Sequence, residues 1–94
     1  MKPSSEKPDS QGKQVEMNFS SFVVSLATQA LMLLGEIDPP EGVELKVDRN
    51  AAKQTIDILN MIEQKTKGNL EKEEASLLQE IIHNLRITYL RKGT

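Results

Sequence analysis

Apolar residues recur at the spacing of an amphipathic α-helix in three separate stretches of the chain. The pattern predicts a first helix at about 19–34, a second at about 49–67, and a third that begins at Leu70 or Lys72 and ends near Arg91. No alternation of apolar and polar residues is long enough for a real sheet. The sequence therefore predicts an all-α fold, a three-helix unit.

The second and third helices are expected to form an antiparallel hairpin, because the connection at Lys67–Asn69 is short. Asp48 is a good N-cap for the second helix, and Gly68 ends it. The first helix is expected to pack across this hairpin. The apolar positions that would form the core of the hairpin are Ala52, Ile56, Leu59, Ile62, Leu77, Leu78, Ile81, Ile82, Leu85 and Tyr89.

The first helix has no charged residue between Met17 and Gly35. Its remaining stripe is uncharged as well, and a helix without a charged face is usually buried on more than one side. The dense apolar run at 22–34 is shorter than the roughly 20 residues that a membrane span needs. The pattern favours a buried core helix, with peripheral membrane association as an alternative. The residues of the stripe are Ser21, Ser25, Thr28 and Met32.

The connection between the first two helices ends in a short segment, residues 43–47, which we call the strap. Val43, Leu45 and Val47 alternate there with Glu44 and Lys46, which is typical of extended backbone with one apolar side. The strap is expected either to cover a helix end or to pair as a very short strand with a copy of itself.

Residues 1–16 are mostly polar and are expected to form a disordered tail, with 17–94 as a single helical domain. The tail lacks the early apolar run of a signal peptide, so we expect a cytoplasmic protein.

Composition argues against most catalytic and metal chemistry. Twelve Lys and Arg against fourteen Asp and Glu give a net charge of −2, whereas dedicated nucleic-acid binders are usually strongly basic. There is no cysteine and one histidine. His83 with Glu80 would be only half of a metal site, and Asp57 with Glu63 lacks the partners of an acid–base pair. We expect no metal, no cofactor and no enzymatic activity.

The Lys65–Asn69 segment combines two lysines with a glycine, which raises the alternative of phosphate binding. A P-loop, however, places its glycines before the Lys-Ser/Thr pair, and here the order is reversed. Glu71 and Glu73 would also repel an anion from the following helix N-terminus. The segment is therefore interpreted as a helix end followed by a helix start.

The C-terminal end of the third helix is basic and carries one aromatic residue. This combination favours a different alternative, an adaptor that binds RNA or the translation apparatus. Cations at a helix C-terminus are also favoured by the helix dipole, so the signal is weak. The candidate residues are Arg86, Tyr89, Arg91 and Lys92.

Surplus apolar surface is the strongest signal in the sequence. A chain of this size buries only about 60% of its unfolded surface by itself, and the first helix is apolar over a wide arc. Self-association would cover the rest, as a homodimer or a higher oligomer, with an unidentified protein partner as the alternative. The sequence therefore predicts a non-enzymatic helical interaction module. The candidate interface residues on the first helix are Phe22, Val23, Leu26, Leu31 and Leu34.

The run IDILNMIEQKTKGNL at Ile56–Leu70, with SLATQALMLLG before it and NLRITYL after it, resembles a small bacterial family known as domain of unknown function 1844. The resemblance spans about 19–90. In that family a Ser or Thr often caps the helix after Gly-Asn-Leu. Glu71 occupies this position here, so the cap is expected to shift to Asn69. The family has no established activity, and the resemblance implies only the fold and a bacterial origin.

Overall fold

The computed structural model describes residues 17–92, and within them three α-helices and no β-strand are found. Helix α1 spans Phe19–Leu33, α2 spans Arg49–Lys65 and α3 spans Lys72–Arg91. Each helix packs against the other two. The all-α three-helix unit is confirmed, and the predicted tail at 1–16 lies outside the described residues.

Helix α1 is capped at both ends. The Asn18 side chain accepts the Ser21 backbone N–H at 2.9 Å, so Asn18 is the N-cap. At the other end Gly35 has φ +80°, and its N–H donates to the Met32 carbonyl at 3.1 Å. The Glu36 N–H donates to the Leu31 carbonyl at 2.9 Å. This pair of bonds is the Schellman motif, which satisfies carbonyls that the helix leaves free.

The turn between α2 and α3 is built from local hydrogen bonds. Gly68 has φ +87°, and the Asn69 N–H donates to the Thr66 carbonyl at 2.8 Å. The expectation that Asn69 caps α3 is wrong, because Glu71 is the N-cap. Its N–H donates to the Glu74 side chain at 3.0 Å, and this side chain three residues into the helix supplies the acceptor of a capping box.

The main core lies between all three helices. Its buried side chains include Val23 of α1, Leu59 of α2 and Leu78 of α3, each 0% exposed. Leu33 and Leu34 form a second cluster with Ala52. The other buried members of the main core are Ala30, Ile56, Ile82 and Leu85.

The connection from α1 to α2 returns to the body of the protein at two points. The Asp48 N–H donates to the Leu33 carbonyl at 2.8 Å, which ties the start of α2 to the end of α1. Leu45 packs against the second cluster, so the strap covers a helix end with this side chain. Val43 and Val47 remain 51% and 67% exposed.

Candidate interaction surfaces

Helix α1 uses much of its apolar surface inside the single chain. Val23 and Leu34 are buried, and Leu26 and Leu31 are half-buried and pack against the core. Of the five candidate interface residues, Phe22 is the exposed one, at 43%. The middle of the wide apolar arc is covered by α2 and α3, which leaves its margins exposed.

The outer face of α1 consists of the uncharged stripe and two exposed apolar residues that flank it. Phe22 lies on one side and Val24, which is 45% exposed, lies on the other. The wide apolar arc of the sequence includes Val24, but the exposure of this side chain depends on where α2 and α3 pack. This face therefore presents apolar and small polar side chains without charge. The stripe itself comprises Ser21, Ser25, Thr28 and Met32.

Two hydroxyl groups of the outer face already have acceptors within α1. The Ser25 hydroxyl donates to the Phe22 carbonyl at 2.6 Å, and the Ser21 hydroxyl donates to the Asn18 side chain at 2.8 Å. A polar group that is hydrogen-bonded locally can be buried against a partner at much lower cost than an unpaired one. The outer face is thus chemically suited to an apolar contact.

The basic end of α3 is largely engaged in contacts within the chain. Arg86 donates to the Asn60 side chain at 2.7 Å. Arg91 and Lys92 lie 2.9 and 3.5 Å from the same oxygen of Glu36, which follows the end of α1. The hydrogen bond from Arg91 is the main cause that lowers the pKa of Glu36 below its ordinary value. These cations hold the two helix ends together.

The ring of Tyr89, the aromatic candidate for RNA stacking, is in contact with the side chain of Arg49, the first residue of α2. The guanidinium carbon of Arg49 lies 3.7 Å from the centroid of the Tyr89 ring. The same side chain donates to the Tyr89 hydroxyl at 2.8 Å and to its backbone carbonyl at 3.3 Å. Sequence reasoning missed Arg49. The position of Arg49 in the sequence could have indicated its role. The helix dipole disfavours a cation at a helix N-terminus, so an arginine there suggests that a specific partner holds it.

The remaining candidate positions do not converge. Asp57 pairs with Lys53 at 3.0 Å on the exposed side of α2, and both side chains remain more than half exposed. His83 and Glu80 are exposed. Residues 17–92 contain no group of three or more His, Cys, Asp or Glu side chains that would hold a metal ion.

The Lys65–Asn69 segment forms the helix end and turn described above. A depression of about 130 Å³ lies beside it, lined in part by Glu63, Lys67 and Leu70. Its lining mixes acidic, basic, uncharged polar and apolar side chains, and does not resemble a phosphate cradle of convergent backbone N–H groups.

None of the helices within 17–92 is long and apolar enough to cross a membrane. No curated protein and no solved structure matches the chain. A family model described as domain of unknown function (DUF1844) matches residues 16–91. This match covers most of the chain, so the protein belongs to the family of domain of unknown function 1844.

Proposed function

We propose that this protein is a non-enzymatic helical interaction module that forms a homodimer through the outer face of α1. The observation that carries the proposal is the exposed and uncharged surface of that helix. Phe22 and Val24 remain more than two-fifths exposed there, and no residue from 17 to 35 carries a charge. Exposed apolar surface of this kind marks interaction sites in small domains.

A second copy fits this face better than a charged partner does. The cores of homodimer interfaces are more apolar than ordinary surface and are depleted of charged residues. A two-fold axis places the same patch on both subunits, and an uncharged patch meets its copy without repulsion. The internally bonded hydroxyls of Ser21 and Ser25 lower the cost of burying them.

An RNA adaptor acting through the end of α3 has less support. Arg86, Tyr89, Arg91 and Lys92 all have partners within the chain. Binding RNA would require several of these contacts to be exchanged. We also propose a cytoplasmic location, with which a chain without cysteine is compatible.

The proposal is tested by replacing an exposed residue of the outer face with a charge. Val24→Glu places a carboxylate in the proposed interface, and a buried unpaired charge costs several kcal/mol. We expect the dissociation constant to rise about a hundredfold or more. Light scattering over a dilution series of the full chain measures this as a fall from twice 10.5 kDa to 10.5 kDa. Circular dichroism should show unchanged helicity, since Val24 is exposed.

Gln54→Glu is the matched control. It adds the same charge at an exposed position of α2, away from the outer face of α1, and should leave the mass unchanged. A wild-type protein that is monomeric throughout the series contradicts self-association. A wild-type oligomer whose mass Val24→Glu does not change contradicts the assignment to α1. Sedimentation of the monomer with liposomes would favour peripheral membrane association instead.

A further inference from the structure

The strap has free backbone edges within the described part of the chain. Its ends are tied, since the Val43 N–H donates to the Pro40 carbonyl at 3.0 Å and the Asp48 N–H donates to the Leu33 carbonyl at 2.8 Å. Between these ties, the N–H groups of 44–47 have no acceptor among residues 17–92. An extended segment with unpaired N–H and C=O groups is a template for pairing with another strand.

The side chains of the strap keep this backbone near the surface. Leu45 anchors it to the second cluster, while Val43 and Val47 are 51% and 67% exposed. Glu44 and Lys46 are exposed and form no ion pair within residues 17–92. The strap therefore combines free backbone groups, exposed β-branched residues and two unpaired charges of opposite sign.

These residues are complementary to themselves in one antiparallel register. When Leu45 lies opposite Leu45 of a second copy, Glu44 faces Lys46 of that copy and Lys46 faces its Glu44. Val43 and Val47 then also lie opposite each other across the pair. Opposite charges and β-branched residues at directly facing positions stabilise a sheet, whereas like charges there destabilise it.

We propose that the strap pairs antiparallel with the strap of a second copy of this chain, centred on Leu45. The proposal rests on the self-association proposed above and adds a contact to which α1 does not contribute. A two-stranded pair of five residues is marginal in isolation, so we expect a weaker contact than that of α1. Two contacts with different two-fold axes give assemblies larger than a dimer, so the mass should exceed twice 10.5 kDa at the highest concentrations and fall to that of the α1 dimer on dilution.

Cysteine cross-linking tests the register directly, because the chain has no cysteine of its own. One full-length chain carries Glu44→Cys and a second carries Lys46→Cys. Facing Cβ atoms in such a pair lie about 4.5–5.5 Å apart, whereas a residue and its own copy lie diagonally, about 7–8 Å apart. A disulfide needs Cβ atoms about 3.5–4.5 Å apart, so the facing positions reach this range with a small backbone shift and the diagonal positions do not.

We expect the mixture of the two chains under mild oxidation to form a disulfide-linked heterodimer about tenfold faster than either chain alone forms a homodimer. Equal rates in the mixture and in the separate chains would overturn the pairing. Equal rates would not affect the proposed α1 contact, because the Val24→Glu variant tests that contact separately. Failure of the strap pairing is therefore distinguishable from failure of the α1 contact.

Charge exchange gives a second and independent test. Glu44→Lys alone places lysines opposite each other, and Lys46→Glu alone places glutamates opposite each other. Each variant should associate beyond the dimer about tenfold more weakly, while an equimolar mixture should recover wild-type mass because every facing pair is then opposite in charge. A mixture that stays as dissociated as its components would contradict the proposal.

Discussion

The two connections between helices are made in different ways. The turn from α2 to α3 is closed by bonds between residues at most a few positions apart, such as Asn69 to Thr66 and Glu71 to Glu74. The connection from α1 to α2 combines local backbone bonds, such as Val43 to Pro40, with contacts to residues far along the chain. Glu36 reaches Arg91, and Arg49 at its far end reaches Tyr89.

This difference shows which part of the fold depends on the whole chain being assembled. A turn with local bonds forms once its own residues adopt the right backbone angles. Two contacts of the connection from α1 to α2, those of Glu36 and Arg49, form only when the end of α3 is in place. Substitutions in the two connections should therefore differ in how much they lower the free energy of unfolding and in which contacts they remove.

The largest effect is expected from Tyr89→Ala. This change removes the ring beneath the Arg49 guanidinium and the hydroxyl that accepts its hydrogen bond. We expect a loss of about 2 kcal/mol in the free energy of unfolding, measured by urea denaturation. Tyr89→Phe keeps the ring and should lose only about 1 kcal/mol. Equal costs for the two variants would mean that the stacking contributes nothing.

Two glycine substitutions compare the connections directly. Gly35 and Gly68 both have positive φ, at +80° and +87°, so alanine at either position costs about 1–2 kcal/mol. A Cβ at Gly35 would also lie 3.2 Å from Cγ2 of Val47, whereas a Cβ at Gly68 meets nothing within 4 Å. We expect Gly35→Ala to be the more costly change in urea denaturation.

Adding Val47→Ala to Gly35→Ala removes the atom that the new Cβ meets. The cost of the glycine change should then fall to that of Gly68→Ala. If the second change has no such effect, the strap does not lie against Gly35 in solution.

The smallest effect is expected for the pH dependence of stability. The pKa of Glu36 is lowered in the folded state, so its ion pairs stabilise the protein at pH values above 4.5, the ordinary pKa of a glutamate. That contribution is lost as the pH falls through the lowered folded-state pKa. Glu36→Gln should therefore lower the urea midpoint slightly at about pH 7 and not at about pH 2, where the wild-type carboxylate is protonated as well. Glu41→Gln, in the same connection but without an ion pair among residues 17–92, is the control.

The helices were predictable because their signals are local. Asn18, Asp48 and Gly68 act within one turn of their own positions, and the periodic apolar residues required no knowledge of their partners. The cap of α3 was not predicted, because Glu71 is a weak N-cap by type and depends on Glu74.

The candidate surfaces were only partly predictable for a similar reason. A helix with an apolar arc as wide as that of α1 shows that much will be buried, but not which part. Val23 and Val24 are adjacent in sequence and equally apolar, yet one is fully buried and the other is 45% exposed. The directions from which α2 and α3 approach make that difference.

The sequence by itself determined the all-α class, the three helices and the hairpin of α2 and α3, because periodicity and caps act over a few residues. It also determined that the first helix has no charge. Only the tertiary structure decided that Tyr89 would bind Arg49 and that Glu36 would bind Arg91. These partners are 40 and 55 residues apart, and no local preference of the backbone brings such distant side chains together.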